Sequence, residues 1–256
     1  MTTHRGAEPY RHDALAVVLQ VRDTTRQQAA PSGTADLAGG RTRARRSLQI
    51  LLWRRSLEPF SGSWALPGGP LRRDERLGAS IGRQLATKVD IRHIGHLEQV
   101  ETRSDPDRDP TGRVLGTVYL GLVPLGLDPA LPADTAWHPA RGLPSMAYDH
   151  ASMTQSALAR LRAKLSYTNI CFALAPPMFT LSELRAVYVA ALGHDVTVTN
   201  LQRVLLRRQI IEPTGETTRS GSSGGRPAAT YRFSVDHLQI TDMFAVLRPP
   251  SAPVAE

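Results

Sequence analysis

Cysteine is almost absent from this sequence, because Cys171 is the only one among 256 residues. A single thiol excludes an intrachain disulfide and a zinc site built from several cysteines. The N-terminus also lacks an apolar export segment, and no apolar run approaches the roughly 20 residues that a membrane-spanning helix needs. We therefore expect a protein of the cytoplasm with no membrane partner.

Acidic charge and lysine are both scarce. The sequence holds 31 Lys and Arg against 23 Asp and Glu, for a formal net charge of +8. Lys88 and Lys164 are the only lysines, so arginine supplies most of the positive charge. An arginine-rich composition is by itself weak evidence for a nucleic-acid partner. It is compatible with one, because non-specific affinity for phosphate backbones is mostly electrostatic.

The N-terminal half of the chain has the pattern of an α+β domain. DALAVVLQV and SLQILLWRR are apolar runs typical of buried strands. Between them, residues 22–47 are polar and rich in Gly and Arg, which predicts a flexible insertion. After WALPGG an apolar residue recurs every fourth position, at Leu77, Ile81 and Leu85, which predicts a helix. Two further strands, IGHLEQVETR and VLGTVYLGLVP, complete a mixed sheet in an α/β/α sandwich.

The character of the sequence changes after residue 152. Residues 153–165 carry the apolar stripe of a helix. A second helix lies within FTLSELRAVYVAALG, where Thr180 and Glu183 match a capping box and Gly193 is a favoured terminator. These signals indicate that the C-terminal half begins with two helices.

A third helix, NLQRVLLRRQ, follows after a short link, and Thr199 and Gln202 match a capping box at its start. The Gly- and Ser-rich turn SGSSGGRP and the strand ATYRFS then form a two-stranded hairpin. This order of elements predicts a winged helix-turn-helix. The sequence therefore divides into a domain of residues 1–152, a winged helix-turn-helix of residues 153–240 and a disordered tail of residues 241–256.

The stretch that begins with WALPGG resembles the Nudix box, a loop and helix that hold metal ions against a diphosphate. The box has the pattern G-x5-E-x7-R-E-U-x-E-E-x-G-U, where U is a bulky apolar residue. The matching positions are Gly69, Glu75, Arg83, Leu85 and Ile91. The positions of the three helix glutamates and of the last glycine hold Gln84, Thr87, Lys88 and Asp90.

These replacements remove the chemistry that the box supplies. Mg²⁺ and Mn²⁺ are hard cations that need oxygen ligands, and a lysine ammonium repels them. We therefore expect no bound metal, no catalytic residues and no metal-dependent hydrolysis. Two interpretations of Lys88 stay open. It is a surface lysine favoured by the dipole at the helix C-terminus, or its charge replaces that of a metal beside a ligand diphosphate.

Six further motifs occur in one order along the chain. They are EPFSGSWALPGG, DPDRDPTGRV, RAKLSYTNICFAL, FTLSELRAVYVAALG, EPTGE and GGRPAATYRFS. Over nearly all of residues 13–234 they resemble the Nudix-related transcriptional regulators of NAD metabolism, the NrtR family. The resemblance implies a degenerate Nudix domain that senses ADP-ribose or NAD as its effector and requires no cofactor. It also implies a homodimer whose winged helix-turn-helix binds a palindromic DNA operator and represses genes of NAD biosynthesis or salvage.

The candidate effector site surrounds the WALPGG loop. Arg113 follows the DPTG turn and suits a phosphate, whereas Trp64 or Phe60 either stacks on an adenine or belongs to the core. The histidines, including His150, are expected to be structural. The candidate ligand-binding residues are Arg54, Trp64, Gly68, Gly69, Arg83, Lys88, Glu98 and Arg113.

The third helix carries a polar face that suits a DNA major groove. Arg pairs bidentately with guanine and Asn with adenine, although a merely solvated face has the same i, i+3, i+7 spacing. Wing arginines suit phosphates or a minor groove, and Lys164 suits a phosphate contact that acetylation would abolish. The candidate DNA-binding residues are Lys164, Thr199, Asn200, Arg203, Arg207, Arg219 and Arg226.

Two other functions stay open at this point. An active ADP-ribose or dinucleotide pyrophosphatase would use acids outside the helix positions, such as Glu75, Glu98 or Glu101. Turnover that depends on Mg²⁺ distinguishes this enzyme from a regulator. An adaptor that binds nucleotide and protein, but no DNA, is the other function, and it would tolerate charge reversal at Arg203.

Overall fold

A computed structural model describes residues 10–23, 46–218 and 227–242 of the protein. The strands within these ranges are β1 (Arg11–Asp23), β2 (Arg46–Arg54), β3 (Trp64–Ala65), β4 (Gly68–Pro70), β5 (His96–Arg103), β6 (Val114–Val123), β7 (Thr135–Pro139), β8 (Phe179–Thr180), β9 (Ile211–Thr217) and β10 (Ala229–Phe233). The α-helices are α1 (Leu77–Val89), α2 (His150–Tyr167), α3 (Leu181–Leu192) and α4 (Val198–Arg207). A short 3₁₀ helix, Ile170–Ala173, lies between α2 and β8 in the chain.

The chain divides into two compact units. The first is built mainly from residues 48–123 and 127–158 with most of β1, and the second mainly from residue 159 onward. The division falls inside α2, which is one continuous helix. The limit predicted after residue 152 stays a prediction, because a continuous helix gives no sharp backbone boundary there.

A seven-stranded mixed sheet forms the centre of the first unit. Its main order is β3-β2-β1-β6-β5, with β4 paired to β1 and β7 paired to β2. β1 and β6 run parallel, from Arg11 opposite Val114 to Gln20 opposite Val123. The pairings of β3, β4, β5 and β7 are antiparallel. Because β1 is central, its residues 14–21 are all buried, which confirms the buried strand that their continuous apolar run predicts.

Helix α1 packs on one face of this sheet, as its four-residue apolar repeat predicts. Ile81, Leu85 and Val89 are fully buried in a cluster with alternate residues of β1. The helix ends at Asp90, which has φ of 51° and whose N–H donates to the Leu85 carbonyl. This left-handed conformation favours glycine, so Asp90 keeps the backbone shape of the Nudix pattern without its residue.

The second unit confirms the predicted winged helix-turn-helix. The stripe of α2 is buried from Met153 to Leu165. Helix α3 has the predicted capping box, since the Thr180 side chain accepts from the Glu183 N–H and Glu183 accepts from the Thr180 N–H. It ends at Gly193 with φ of 86°, the left-handed conformation typical of a terminating glycine.

Two local predictions in this unit are wrong. Helix α4 is capped by Thr197, whose side chain accepts from the Asn200 N–H, and not by a capping box of Thr199 and Gln202. Threonine is a good N-cap at either position, so local sequence did not separate the two. The wing is also a sheet of three strands in the order β8-β10-β9, because β8 pairs with β10.

The predicted insertion and tail lie largely outside the described residues. β1 continues to Asp23 and β2 begins at Arg46, so the insertion is shorter at both ends than residues 22–47. The remaining residues 24–45 are not described. The tail predicted from residue 241 begins with ordered contacts, since the Thr241 N–H donates to the Tyr167 carbonyl at 2.8 Å. Residues 243–256 lie outside the described part.

Among the described residues, no helix has both the length and the apolar character that a membrane span requires.

We predict that Asp90→Gly raises the free energy of unfolding by about 0.5–1 kcal/mol. Glycine adopts the left-handed conformation without a Cβ penalty, and the change removes a negative charge from a helix C-terminus. The lost ion pair with Arg92 is exposed and contributes little. Urea unfolding of the two proteins measures the difference. Asp90→Ala is the matched control and should lower stability, and an unfolding midpoint for Asp90→Gly at or below the native one would contradict the prediction.

Candidate functional site

The first unit contains a cavity of about 370 Å³. Its wall is formed by the start of β1, the end of β2 with the following loop, the β4 loop, the end of α1, the turn before β6 and the start of α2. The charged side chains in this wall are Arg11, Asp13, Arg55, Glu58, Lys88, Arg108 and Asp109, and His150 also lines the cavity. The cavity therefore combines apolar wall with several charges, as a site for a charged small molecule requires.

The backbone of Gly68 and Gly69 forms part of this wall. A Cβ atom on Gly68 would lie 2.3 Å from the Ala14 carbonyl oxygen, and one on Gly69 would lie 2.7 Å from the Gln84 Nε2. Gly68 is therefore required, because a Cβ there would meet the backbone of β1, whereas a Cβ on Gly69 would force the Gln84 side chain to move. Both predicted ligand-binding glycines line the cavity, as does Lys88.

The Lys88 side chain lies in the cavity wall and is half-buried. Its Nζ donates to the Gly68 carbonyl at 2.6 Å and lies 4.7 Å from the centre of the Trp53 ring. Burial lowers the pKa of the Lys88 ammonium, and the carboxylate of Asp13 opposes this effect. Of the two interpretations of Lys88, its position in the wall favours a charge beside the ligand over a solvated surface residue.

The other positions of the lost glutamates are also occupied by side chains with local partners. Gln84 is buried beneath Gly69, and the Thr87 hydroxyl donates to the Arg83 carbonyl at 2.8 Å. Arg83 donates to both carboxylate oxygens of Glu75, each at 2.7 Å. These hydrogen bonds lower the pKa of Glu75 to about 2. Arg83 is therefore engaged by Glu75, and it does not line the cavity.

The donor set does not fit a divalent metal ion. The helix offers an amide, a hydroxyl and an ammonium where a hard cation needs carboxylate oxygens. Glu75, the one acidic residue of the Nudix pattern that this sequence has, is paired with Arg83. No group of three or more His, Cys, Asp or Glu able to hold a metal occurs in the described ranges.

Of the four Arg and Lys side chains in the cavity wall, two form ion pairs with carboxylates of the described residues and two do not. Arg11 pairs with Asp13 and Asp109, and Arg108 pairs with Asp149. Over the residues that the structure describes, neither Arg55 nor Lys88 has a carboxylate within ion-pair distance. The cavity therefore holds positive charge that an anionic ligand can neutralise.

Arg55 is a site residue that the sequence analysis missed. Its guanidinium lies 4.9 Å from the centre of the Tyr148 ring and donates to the carbonyls of Pro59 and Leu57. Arg54, the neighbour predicted from sequence, instead donates to the Gly62 carbonyl and does not line the cavity. Strand alternation was the available signal, since residues 53 and 55 share one face and residue 54 lies on the other.

The cavity was expected around Trp64, Gly68, Gly69, Glu98 and Arg113. The two glycines line it, whereas Trp64, Glu98 and Arg113 do not. Trp64 packs edge-on against His138, with ring centres 4.3 Å apart. Glu98 contacts His96 at 3.1 Å on β5, the edge strand beyond β6. Arg113 is exposed before β6, and Phe60 packs against Tyr148. Trp64, Glu98, Arg113 and Phe60 are absent from the lining, because pairing between distant strands decides which faces meet.

His150 anchors the loop from beneath. Its Nδ1 accepts the Leu66 N–H at 3.1 Å, and the residue is almost fully buried. Burial lowers the pKa of His150 to about 3. The expected structural role agrees with this contact, although His150 also lines the cavity.

In the second unit, α4 buries Leu201 and Leu205 and exposes the opposite face. The predicted DNA-contacting residues on that exposed face are Thr199, Asn200, Arg203 and Arg207. Arg203 donates to the Asn200 side-chain oxygen at 2.9 Å, so Asn200 orients the guanidinium.

The other candidate DNA-contacting residues of the second unit do not belong to α4. Arg208, which follows α4, contacts Asp242 and donates to the Ser166 carbonyl. Lys164 is half-buried in the last turn of α2. Arg219 and Arg226 lie outside the described residues.

Comparison with known proteins covers most of the chain. A family model described as the NrtR DNA-binding winged helix domain matches residues 171–233. The ADPR responsive transcriptional repressor NtrR of Acinetobacter baylyi is 36% identical over 208 residues, which cover 73% of this chain and 76% of that protein. The chain belongs to the NrtR family of transcriptional regulators.

Two further proteins are similar to this chain, one over most of its length and one over a part of it. The crystal structure of Shewanella oneidensis NrtR complexed with a 27mer DNA has a TM-score of 0.67 and 27% identity, covering 86% of this chain and 92% of that one. An ADP-ribose pyrophosphatase of Methanocaldococcus jannaschii is 32% identical over 111 residues, 40% of this chain and 61% of that enzyme. Membership in the NrtR family confirms the predicted Nudix-like domain followed by a winged helix.

We predict that acid destabilises the protein partly through His150. A base whose folded pKa lies near 3, below its ordinary value of 6.5, stabilises the fold fully above 6.5 and loses that contribution as the pH falls towards 3. His150→Asn keeps a hydrogen-bond acceptor for Leu66 and removes the titration. Between pH 5.5 and 4.5 the unfolding free energy of the native protein should fall by about 1.4 kcal/mol more than that of the variant. Parallel pH profiles from chemical unfolding would contradict this.

Proposed function

We propose that the protein is a DNA-binding transcriptional repressor whose affinity for its operator is changed by an NAD-related nucleotide held in the first unit. The observation that carries this proposal is a cavity in which Arg55 and Lys88 lack carboxylate partners within the described ranges. The same chain carries a winged helix of the NrtR type. A nucleotide diphosphate supplies the negative charge that these cations lack.

ADP-ribose is the effector that we favour, with NAD as the alternative. The Acinetobacter baylyi relative is described as an ADPR responsive repressor. The rings of Trp53 and Tyr148 lie in the cavity wall, where they offer surfaces for a base or a ribose. Arg55 lies against both rings, at 6.0 and 4.9 Å from their centres, so one site can receive aromatic and phosphate parts of a nucleotide.

For DNA binding, α4 acts as the recognition helix. Arg203 projects from its exposed face with Asn200 holding the guanidinium, an arrangement suited to bidentate contact with a guanine. Thr199 and Arg207 lie on exposed positions of the same helix and are assigned to the backbone or base edges. Lys164, Arg219 and Arg226 are assigned to phosphates.

The biological setting follows from the family resemblance. We infer a cytoplasmic homodimer that binds a palindromic operator and represses genes of NAD biosynthesis or salvage. In a dimer, two recognition helices read half-sites separated by a whole number of helical turns. An effector alters affinity only if it binds the two dimer arrangements with different strength.

The alternative, an ADP-ribose pyrophosphatase, has the Methanocaldococcus jannaschii enzyme as its support. The acids that it would need are engaged elsewhere. Glu75 pairs with Arg83, Glu98 with His96 and Glu101 with Arg103. We therefore favour binding without hydrolysis.

We predict no ADP-ribose hydrolysis above background with Mg²⁺ or Mn²⁺ present, because the helix positions carry no carboxylate. The extent of hydrolysis is measured by chromatographic separation of AMP from ADP-ribose after prolonged incubation. The matched control is Glu75→Gln, which should leave the background unchanged. Metal-dependent AMP formation that Glu75→Gln abolishes would establish the enzyme instead.

We predict that Arg203→Ala weakens binding to the specific operator by about 5- to 150-fold, the equivalent of one lost bidentate base contact. Affinity for unrelated DNA should change much less. Fluorescence polarisation with operator and scrambled duplexes measures both. Arg92→Ala is the control, because Arg92 is an exposed arginine of the first unit. Equal operator affinity in Arg203→Ala and Arg92→Ala would remove Arg203 from the interface.

The proposal as a whole is tested on promoter fragments of NAD biosynthesis and salvage genes. Polarisation titrations are run without effector and with ADP-ribose, NAD or NADH. A sequence-specific complex whose affinity shifts with one of these nucleotides is the expected result. The absence of any sequence-specific complex under every condition would defeat the repressor function and favour an adaptor.

A further inference from the structure

The cavity keeps the frame of a metal-dependent hydrolase but has a fixed cation in its wall. Lys88 stands where the Nudix pattern has its last helix glutamate, a position from which a carboxylate would hold a metal. We infer that the Lys88 ammonium replaces the divalent metal and binds the diphosphate of the nucleotide directly, so that binding needs no metal ion. This inference rests on the proposed function.

The first support is the fixed position of the ammonium. Its Nζ is held by the Gly68 carbonyl at 2.6 Å and lies 4.7 Å from the centre of the Trp53 ring. Both contacts favour a cation at this point of the wall. An ammonium has three N–H donors, and the carbonyl takes one, so donors remain for phosphate oxygens. A cation positioned before the ligand arrives loses little freedom on binding.

The second support is the distribution of charge around Lys88. Asp13 is the acid that acts on it most strongly, whereas Arg55 and Arg83 add positive charge nearby. Asp13 is itself shared with Arg11, at 3.0 Å. Within the described residues no carboxylate therefore neutralises Lys88 at ion-pair distance, and a diphosphate meets a net positive wall.

The third support is that nothing on the helix recruits a metal beside Lys88. Gln84 is buried with its amide against Gly69, where it fills the space behind the loop. The Thr87 hydroxyl is used within the helix, and Glu75 is held by Arg83 through both oxygens. A divalent cation placed here would face the Lys88 ammonium, while Asp13, the carboxylate that acts on Lys88, is already paired with Arg11. The absence of the helix glutamates and the presence of Lys88 therefore have the same effect, which is to disfavour a metal ion at this point of the wall.

The test measures ADP-ribose binding to the full chain by titration calorimetry, in EDTA and in millimolar Mg²⁺. The native protein should bind with the same affinity in both, within about twofold. Lys88→Met keeps an unbranched chain against Trp53 and should lose about 10- to 100-fold in affinity, since a charge-assisted hydrogen bond to an anion is removed. Lys88→Arg keeps the charge and should retain most of the affinity.

Arg92→Met is the matched control for removal of a cation outside the cavity, and it should bind as the native protein does. Urea unfolding of each variant shows whether the fold is intact. If Lys88→Met is destabilised, the native protein in EDTA and Mg²⁺ still tests the need for metal, and Lys88→Gln, compared with Lys88→Arg, tests the need for the charge.

The outcomes separate this inference from the function on which it rests. Affinity that requires Mg²⁺, or that Lys88→Met leaves unchanged, overturns the role of Lys88 while the effector function stands. The absence of ADP-ribose binding in either buffer, with operator binding unaffected by the nucleotide, overturns both.

Discussion

The close approach of the Gly68 and Gly69 backbone to β1 and α1 is the constraint on which the first unit depends. There is no room for a Cβ at Gly68, because the Ala14 carbonyl occupies the space, and a Cβ at Gly69 would displace the Gln84 amide. This contact fixes the loop, presents the Gly68 carbonyl to Lys88 and shapes one wall of the cavity. The hydrolase frame thus survives through backbone packing, independently of the residues that once gave it chemistry.

The altered helix changes what the frame can do. A metal ion held by carboxylates polarises a diphosphate and activates water for attack, whereas an ammonium attracts the same diphosphate without activating a nucleophile. A sensor benefits from this difference, because an effector that is hydrolysed on binding cannot report its own concentration. The ion pair of Arg83 with Glu75 fits the same account, since it satisfies an acid that has no metal to bind. In the proposed function, the nucleotide acts by binding two states of the DNA-bound protein with different strength.

Much of the fold was predictable from sequence, and the site was predictable only in part. The pattern of apolar residues located β1, α1 and α3, because the pattern that predicts each element lies within the element itself. The wall residues Arg55 and Tyr148 were missed, since they meet only when β2 and the segment before α2 come together. Of the two interpretations of Trp64, its packing against His138 of β7, a strand that pairs with β2, favours a structural role over stacking on a base. The local sequence allowed either Thr197 or Thr199 as the N-cap of α4, and the structure has Thr197 at that position.

The most direct test of the account follows one sample through both units. The protein is bound to a labelled operator duplex in Mg²⁺, ADP-ribose is added until polarisation reaches a new plateau, and the nucleotide is then recovered and analysed by mass spectrometry. We predict a stable shift in polarisation with ADP-ribose recovered intact. A shift that decays with time as AMP and ribose phosphate accumulate would contradict the central claim that this cavity binds its nucleotide without cleaving it.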